Sequence, residues 1–169
     1  MKHAPSTLTA MLLLAVSFWA ISANVANACS ECLCFSDVTC SNSPCDLTAN
    51  CNRFEFTPRC DGDYLLRTET QCTTDSLGCS LCQSCANLYW IDGTTEEYLA
   101  NCHTANCNSQ PPECARDCQS VELSSSKTYV IYVCKRYCPG VASSCEECKN
   151  SCTAYACLSY GLSNDPCRP

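Results

Sequence analysis

Twenty-two cysteines in 169 residues, all of them after position 28, constrain this chain more than any other feature. So many thiols in a short chain read as a covalent framework, provided the chain matures in an oxidising compartment. The N-terminus supplies that condition. Lys2 precedes an apolar stretch from Leu8 through Ile21, and Ala26-Asn27-Ala28 places small residues at −3 and −1 of a cleavage site. This order is that of a secretory signal peptide over 1–28. The apolar run is short and broken by Ser and Thr, which argues against a membrane span. A lipid on Cys29 would need a larger aliphatic residue where Ala26 stands. The expectation is a secreted, extracellular protein with no membrane span in the mature chain. The even count allows complete pairing, but connectivity does not follow from sequence.

The charge balance narrows the partners. The formal net charge is −7 and becomes more negative once Lys2 is removed. An acidic chain is a poor match for nucleic acid and for cationic membrane disruption. Lys135-Arg136, the one local basic cluster, reads as a solvated strand end. The C-terminus carries no hydrophobic tail for a lipid anchor. Asn42-Ser43-Pro44 and Asn108-Ser109-Gln110 both lack the hydroxyl of a glycosylation acceptor. The expected partner is an extracellular protein or surface ligand.

The cysteine spacing nearly repeats. Cys40, Cys45 and Cys72 recur 62 positions later as Cys102, Cys107 and Cys134. Cys51 corresponds to Cys114, Cys60 to Cys118, Cys79 and Cys82 to Cys145 and Cys148, and Cys85 to Cys152. Cys29, Cys32 and Cys34 precede the first unit, and Cys138, Cys157 and Cys167 belong to the second alone. Such periodicity predicts two tandem cysteine-rich units, 29–91 and 92–169.

Residues between the cysteines predict the content of each unit. Phe54-Glu55-Phe56-Thr57 alternates as a half-buried strand does, Asp61-Gly62 signals a tight turn, and Tyr64 to Thr68 follows as a second strand. Val121-Glu122-Leu123, a turn over Ser124 to Ser126, and the β-branched and aromatic run Thr128 to Val133 repeat the scheme. Cys145, Cys148 and Cys152 share one helical face, with Ser143 or Ser144 to cap it and Gly161 to end it. Leu81, Cys82, Cys85 and Tyr89 make a shorter version. Thr94 with Glu97 forms a capping-box pattern, and Pro112 can open a helix through Cys118. The fold expected is therefore a small disulfide-rich α+β protein, each unit a β-hairpin with short cysteine-bearing helices.

No catalytic constellation emerges. Beyond the leader the sole histidine is His103, without a second base or a neighbouring acid. Acids are plentiful, but nothing locates a carboxylate pair, so a small hydrolase has no positive sign. The Cys-x-x-Cys pairs Cys29/Cys32, Cys79/Cys82 and Cys145/Cys148 suggest disulfides rather than metal behind a secretory leader. Glu146-Glu147 between the last pair disfavours a reactive thiolate. No enzyme, cofactor or metal is expected. The leading reading is a non-enzymatic binding or structural module: a ligand, an effector, or a coat or matrix component.

Two local patterns add expectations. Cys107-Asn108-Ser109-Gln110-Pro111-Pro112-Glu113-Cys114 is a short loop closed by cysteines and stiffened by Pro-Pro. It resembles the reactive loop of Bowman–Birk protease inhibitors. That resemblance implies Asn108 as the specificity residue and Ser109 after the scissile bond, with Gln110, Pro111 and Pro112 completing the loop. It departs from that pattern by one missing residue after the first cysteine. Cys138-Pro139-Gly140 followed by Cys145, Cys148 and Cys152 resembles the furin-like repeats of growth-factor-receptor ectodomains. The aromatics Tyr89, Trp90 and Tyr98 fall in the longest cysteine-free stretch, which is either a linker or a recognition surface, with Trp90 expected in the core.

Overall fold

The computed structural model describes residues 29–37, 39–40, 48–73, 82–104, 113–138, 145–162 and 167. Eight strands form: β1 (Glu31–Asp37), β2 (Asn52–Phe56), β3 (Gly62–Cys72), β4 (Cys82–Asp92), β5 (Thr95–His103), β6 (Ala115–Leu123), β7 (Tyr129–Tyr137) and β8 (Cys152–Tyr160). Among the described residues one short helix, α1 (Cys145–Ser151), precedes β8. The strands make two four-stranded sheets, ordered β1-β8-β3-β6 and β2-β7-β4-β5, with every pairing antiparallel. The two sheets enclose one core, as in a β-sandwich.

This corrects the expected α+β fold of two tandem units. Strands form within each stretch predicted, Phe54–Thr57, Tyr64–Thr68, Val121–Leu123 and Thr128–Val133, though β2 stops at Phe56 and β7 begins at Tyr129, and neither expected hairpin is present. β2 and β3 lie in different sheets, and so do β6 and β7. The chain passes from one sheet to the other at every step except β4–β5, the only hairpin between consecutive strands among the described residues. Both sheets consequently draw strands from 29–91 and from 92–169. Of the other predicted helices, Cys82 to Tyr89 lies in β4, the capping-box segment after Thr94 in β5, and Ala115 to Cys118 in β6, while Leu81 and Pro112 lie outside the described residues. Spacing of i and i+3 gives cysteines one face of a helix, but on β4 Cys82 and Cys85 stand on opposite faces of the strand, with Cys82 bonded to Cys148 of α1. At 145–152 a helix does form, but it stops at Ser151, and Gly161 (φ 69°) ends β8 instead.

Alternation on β3 explains the core. Tyr64, Leu66, Thr68 and Thr70 are buried while their neighbours are less so. Leu66, Leu123 and Leu158 from one sheet meet Leu88, Ile131 and Val133 from the other. Trp90 is half-buried against this cluster, as expected, and Lys127 Nζ lies 4.0 Å from its ring centroid.

Disulfides then lock the layers. Seven bridges have both partners described: Cys29–Cys60, Cys32–Cys167, Cys34–Cys157, Cys51–Cys134, Cys72–Cys152, Cys82–Cys148 and Cys102–Cys118. Cys40, Cys85, Cys114 and Cys138 are disulfide-bonded too. Five of the seven join 29–91 to 92–169. Cys34–Cys157 and Cys72–Cys152 tie directly opposed residues of neighbouring strands. Cys102–Cys118 clasps the edge strands β5 and β6 of the two sheets. Cys82–Cys148 pins α1 to β4.

Two buried charged side chains inside the sandwich, Glu31 and Lys135, are hydrogen-bonded. Glu31 is buried and accepts from the Tyr64 hydroxyl (2.5 Å), the Arg59 amide (2.9 Å) and Arg59 Nε (3.2 Å). Lys135, expected at a solvated strand end, is instead fully buried. Its Nζ donates to the Cys152 carbonyl at 2.6 Å, and its amide donates to the buried Asp37 carboxylate at 3.0 Å. Hydrogen bonding makes this burial tolerable, and burial itself pulls the Lys135 ammonium pKa down, with Asp37 opposing.

Candidate functional site

The outer face of the β2-β7-β4-β5 sheet gathers the aromatic side chains that the core does not use. Leu88 and Trp90 of β4 face the core, so Tyr89 between them faces outward; Ile131 and Val133 do the same for Tyr132 on β7. Tyr98 reaches that face by a different route. On β5, Ala100 and Cys102 are core residues, and strict alternation would turn Tyr98 inward with them. A bulge intervenes: Leu88 pairs with Ala100, but Tyr89 pairs with Tyr98, leaving Leu99 as the extra residue. Tyr98 thus stands beside Tyr89 at 56% exposure, and Leu99 is 36% exposed at the sheet edge.

Three tyrosines result in a row, with Tyr89 in edge-to-face contact with each of the other two. The Tyr89 ring centroid lies 5.7 Å from that of Tyr98 at 75°, and 5.6 Å from that of Tyr132 at 84°. Each such pair is worth about 0.5–1.5 kcal/mol beyond area burial. Charged groups frame them. Arg53 on β2 donates from Nε (3.1 Å) and Nη2 (3.0 Å) to Glu96 Oε1 on β5, and from Nη1 to Glu55 (3.3 Å). Glu96 Oε2 accepts from the Tyr132 hydroxyl at 2.8 Å. Glu96 thereby fixes both Arg53 and Tyr132 while Val130 lies fully buried on the same face. Burial pushes the Tyr132 phenol pKa up, and the bond to Glu96 adds to it. Burial likewise raises that of Tyr89, helped by Tyr98 and Glu96. Both rings are neutral at physiological pH and serve as amphipathic contact surface.

Other expected features fall elsewhere. Asn108, Ser109, Gln110, Pro111 and Pro112 of the inhibitor-like loop lie outside the described residues, as do 1–28, Cys45, Cys79 and Cys107. Glu113 is exposed just before β6. His103 ends β5 opposite Cys85 and borders a shallow depression of about 220 Å³ with Arg116 and Asp117. Cys29 and Cys32, a Cys-x-x-Cys pair in sequence, bond to Cys60 and Cys167 rather than to each other. The sulfurs of Cys32, Cys34 and Cys167 lie within 4.8 Å of one another, but each is in a disulfide and is not a thiolate ligand in this state.

Sequence reasoning noticed Tyr89, Trp90 and Tyr98 but missed Tyr132, Arg53 and Glu96. Their convergence depends on strand order, which places β2 and β5 at opposite edges of one sheet. Asp92-Gly93, with Gly93 at φ 62°, was the available sign that β4 and β5 form a hairpin and not a helical linker. Comparison with known protein families, curated proteins and solved structures finds no match to this chain.

Proposed function

We propose that this is a secreted, non-enzymatic binding module that grips an extracellular protein through the outer face of the β2-β7-β4-β5 sheet. The observation that carries this reading is the Tyr89–Tyr98–Tyr132 cluster, braced by Arg53 and Glu96, with Tyr98 and Leu99 exposed at its edge. Tyrosine and arginine are the residues enriched where interfaces concentrate their energy. Rings already held by neighbours lose little freedom on binding. The sheet beneath is tied by disulfides, so the face is preorganised.

Charge selects the partner. Beside the tyrosines, Arg53 stands against two carboxylates, Glu55 and Glu96, which leaves a local excess of acid. The whole chain is acidic as well. A basic protein surface complements this, and association with it weakens with salt. The disulfide density suits an oxidising, extracellular setting.

The test is an array of purified extracellular ectodomains probed with the folded protein, beside Tyr98→Ala and Leu99→Ala. Both substitutions are at exposed positions and should leave the fold intact. The expected result is at least one salt-sensitive binder that Tyr98→Ala weakens tenfold or more, about 1.4 kcal/mol. No binder, or binding that both variants retain in full, would overturn the proposal.

A further inference from the structure

The two disulfides that anchor β1 lie side by side. Cys32 and Cys34 are two residues apart on one strand, so their side chains share a face. Cys34 is bonded across to Cys157 on β8, directly opposite. Cys32 is bonded to Cys167 in the C-terminal segment. The nonbonded sulfurs are close: Cys34 Sγ is 3.6 Å from Cys167 Sγ and 3.9 Å from Cys32 Sγ. Exposure is unequal. Cys32 is exposed, Cys34 half-buried, and Cys157 and Cys167 are 3% and 5% exposed.

From this geometry we propose that Cys32 is a modification site for small aliphatic thiols, and that the adjacent disulfide completes the reaction by a second exchange. Thiol–disulfide exchange needs a thiolate within reach of a disulfide sulfur, and access decides which sulfur is attacked. An incoming thiolate bonds to the exposed Cys32 Sγ, breaks the Cys32–Cys167 bond and releases Cys167 as thiolate. The released Cys167 sulfur lies beside the second bridge, 3.6 Å from Cys34 Sγ, so the next exchange is intramolecular. Cys34 Sγ is the neighbouring sulfur. Cys167 Sγ bonds to it, the Cys34–Cys157 bond breaks, and Cys157 leaves as thiolate and takes a proton from solvent. Each step forms one S–S bond and breaks one, so no oxidant or reductant is consumed beyond the thiol itself. The products are a mixed disulfide at Cys32, a new Cys34–Cys167 bridge and a free Cys157 thiol. The C-terminal segment changes its anchor from Cys32 to Cys34 but stays attached to β1.

The step distinguishes this site from a simply exposed bridge, where the released partner would remain the free thiol. The folded, full-length mature protein is treated with a small excess of glutathione, quenched in acid, alkylated with N-ethylmaleimide in denaturant, and mapped by non-reducing digestion and mass spectrometry. The expected early product carries glutathione on Cys32, maleimide on Cys157 and a Cys34–Cys167 cross-link. A Cys34→Ala/Cys157→Ala variant lacks the second disulfide, so its maleimide should move to Cys167. Maleimide on Cys167 in the wild-type protein with Cys34–Cys157 intact would overturn the relay, and first reaction at any other bridge would overturn the site. The wild-type map decides the matter even if the double variant does not fold.

Discussion

Replacing Tyr64 by Phe removes one buried hydroxyl, which faces the Glu31 carboxylate and, at 3.0 Å, the Cys60 carbonyl. Tyr64 is fully buried, and its hydroxyl donates at 2.5 Å to Glu31, itself only 4% exposed. The substitution keeps ring volume and the stacking on Tyr160 at 5.1 Å, so little packing is lost. What goes is a donor to an ionised acceptor, worth about 1.5–3 kcal/mol. Glu31 retains the Arg59 amide, but the Arg59 side chain is 77% exposed and adds only about 0–1 kcal/mol. Equilibrium unfolding in guanidinium with disulfides intact, followed by Trp90 fluorescence, should show a loss of about 1.5–3 kcal/mol near neutral pH. Acid titration adds a sign. Burial alone would raise the Glu31 pKa, yet the bonds from Tyr64 and Arg59 outweigh it and hold the carboxyl below its ordinary value. A lowered native pKa stabilises the fold above the unfolded-state value, and that stabilisation is lost as pH falls through the native pKa. The gap between wild type and Tyr64→Phe should therefore narrow in acid, where Glu31 is neutral in both. A loss under about 0.5 kcal/mol, or a gap independent of pH, would refute the charged-acceptor account.

The remaining predictions use other parts of the sandwich. Spectrophotometric titration should show Tyr64, Tyr89 and Tyr132 ionising above the ordinary phenol range, because burial leads the rise in each of their pKa values. A raised native pKa means their stabilisation is complete below about pH 10 and is lost above it, so alkaline unfolding should coincide with the last phenols to titrate. A Cys102→Ser/Cys118→Ser variant opens a bridge of sequence separation 16 and should lose about 3 kcal/mol in the same guanidinium assay. Leu158→Ala, at a fully buried site between the sheets, should cost about 2–5 kcal/mol in that assay. Gly62→Ala should lower the melting temperature, since Gly62 has φ 144° and a Cβ there would overlap the Tyr160 ring.

What could be read without coordinates was local and what could not was topological. Period-two alternation marked β2, β3, β6 and β7 because each needs one apolar face, and that requirement is written in consecutive residues such as Tyr64, Leu66 and Thr68. Which strand pairs with which is not so written. Asp61-Gly62 looks like a hairpin turn, yet Asp61 instead caps the Ser124–Ser125 turn across the molecule, accepting from the Ser125 amide at 2.6 Å. That contact ties the two sheet-to-sheet connections β2–β3 and β6–β7 together at one end of the sandwich. The cysteine repeat misled for the same reason. Equal spacing was taken as two self-contained units, whereas Cys72 bonds Cys152 and Cys82 bonds Cys148, so corresponding halves are laced to each other. The tyrosine face shows the limit most clearly. Tyr98 is turned outward by one extra residue, Leu99, and it matters because β4 brings Tyr89 beside it and β7 brings Tyr132. No window along the chain contains that arrangement; it exists only once three strands and a bulge are in register. A binding surface made this way depends on Leu99 being surplus, so deleting Leu99 should place Tyr98 next to core-facing Ala100 and still opposite Tyr89, on the outer face. Retention of the Tyr89–Tyr98 contact in such a variant, seen as a Tyr89 ionisation that stays raised with the fold kept, is the outcome this construction requires; an earlier Tyr89 ionisation would refute the bulge.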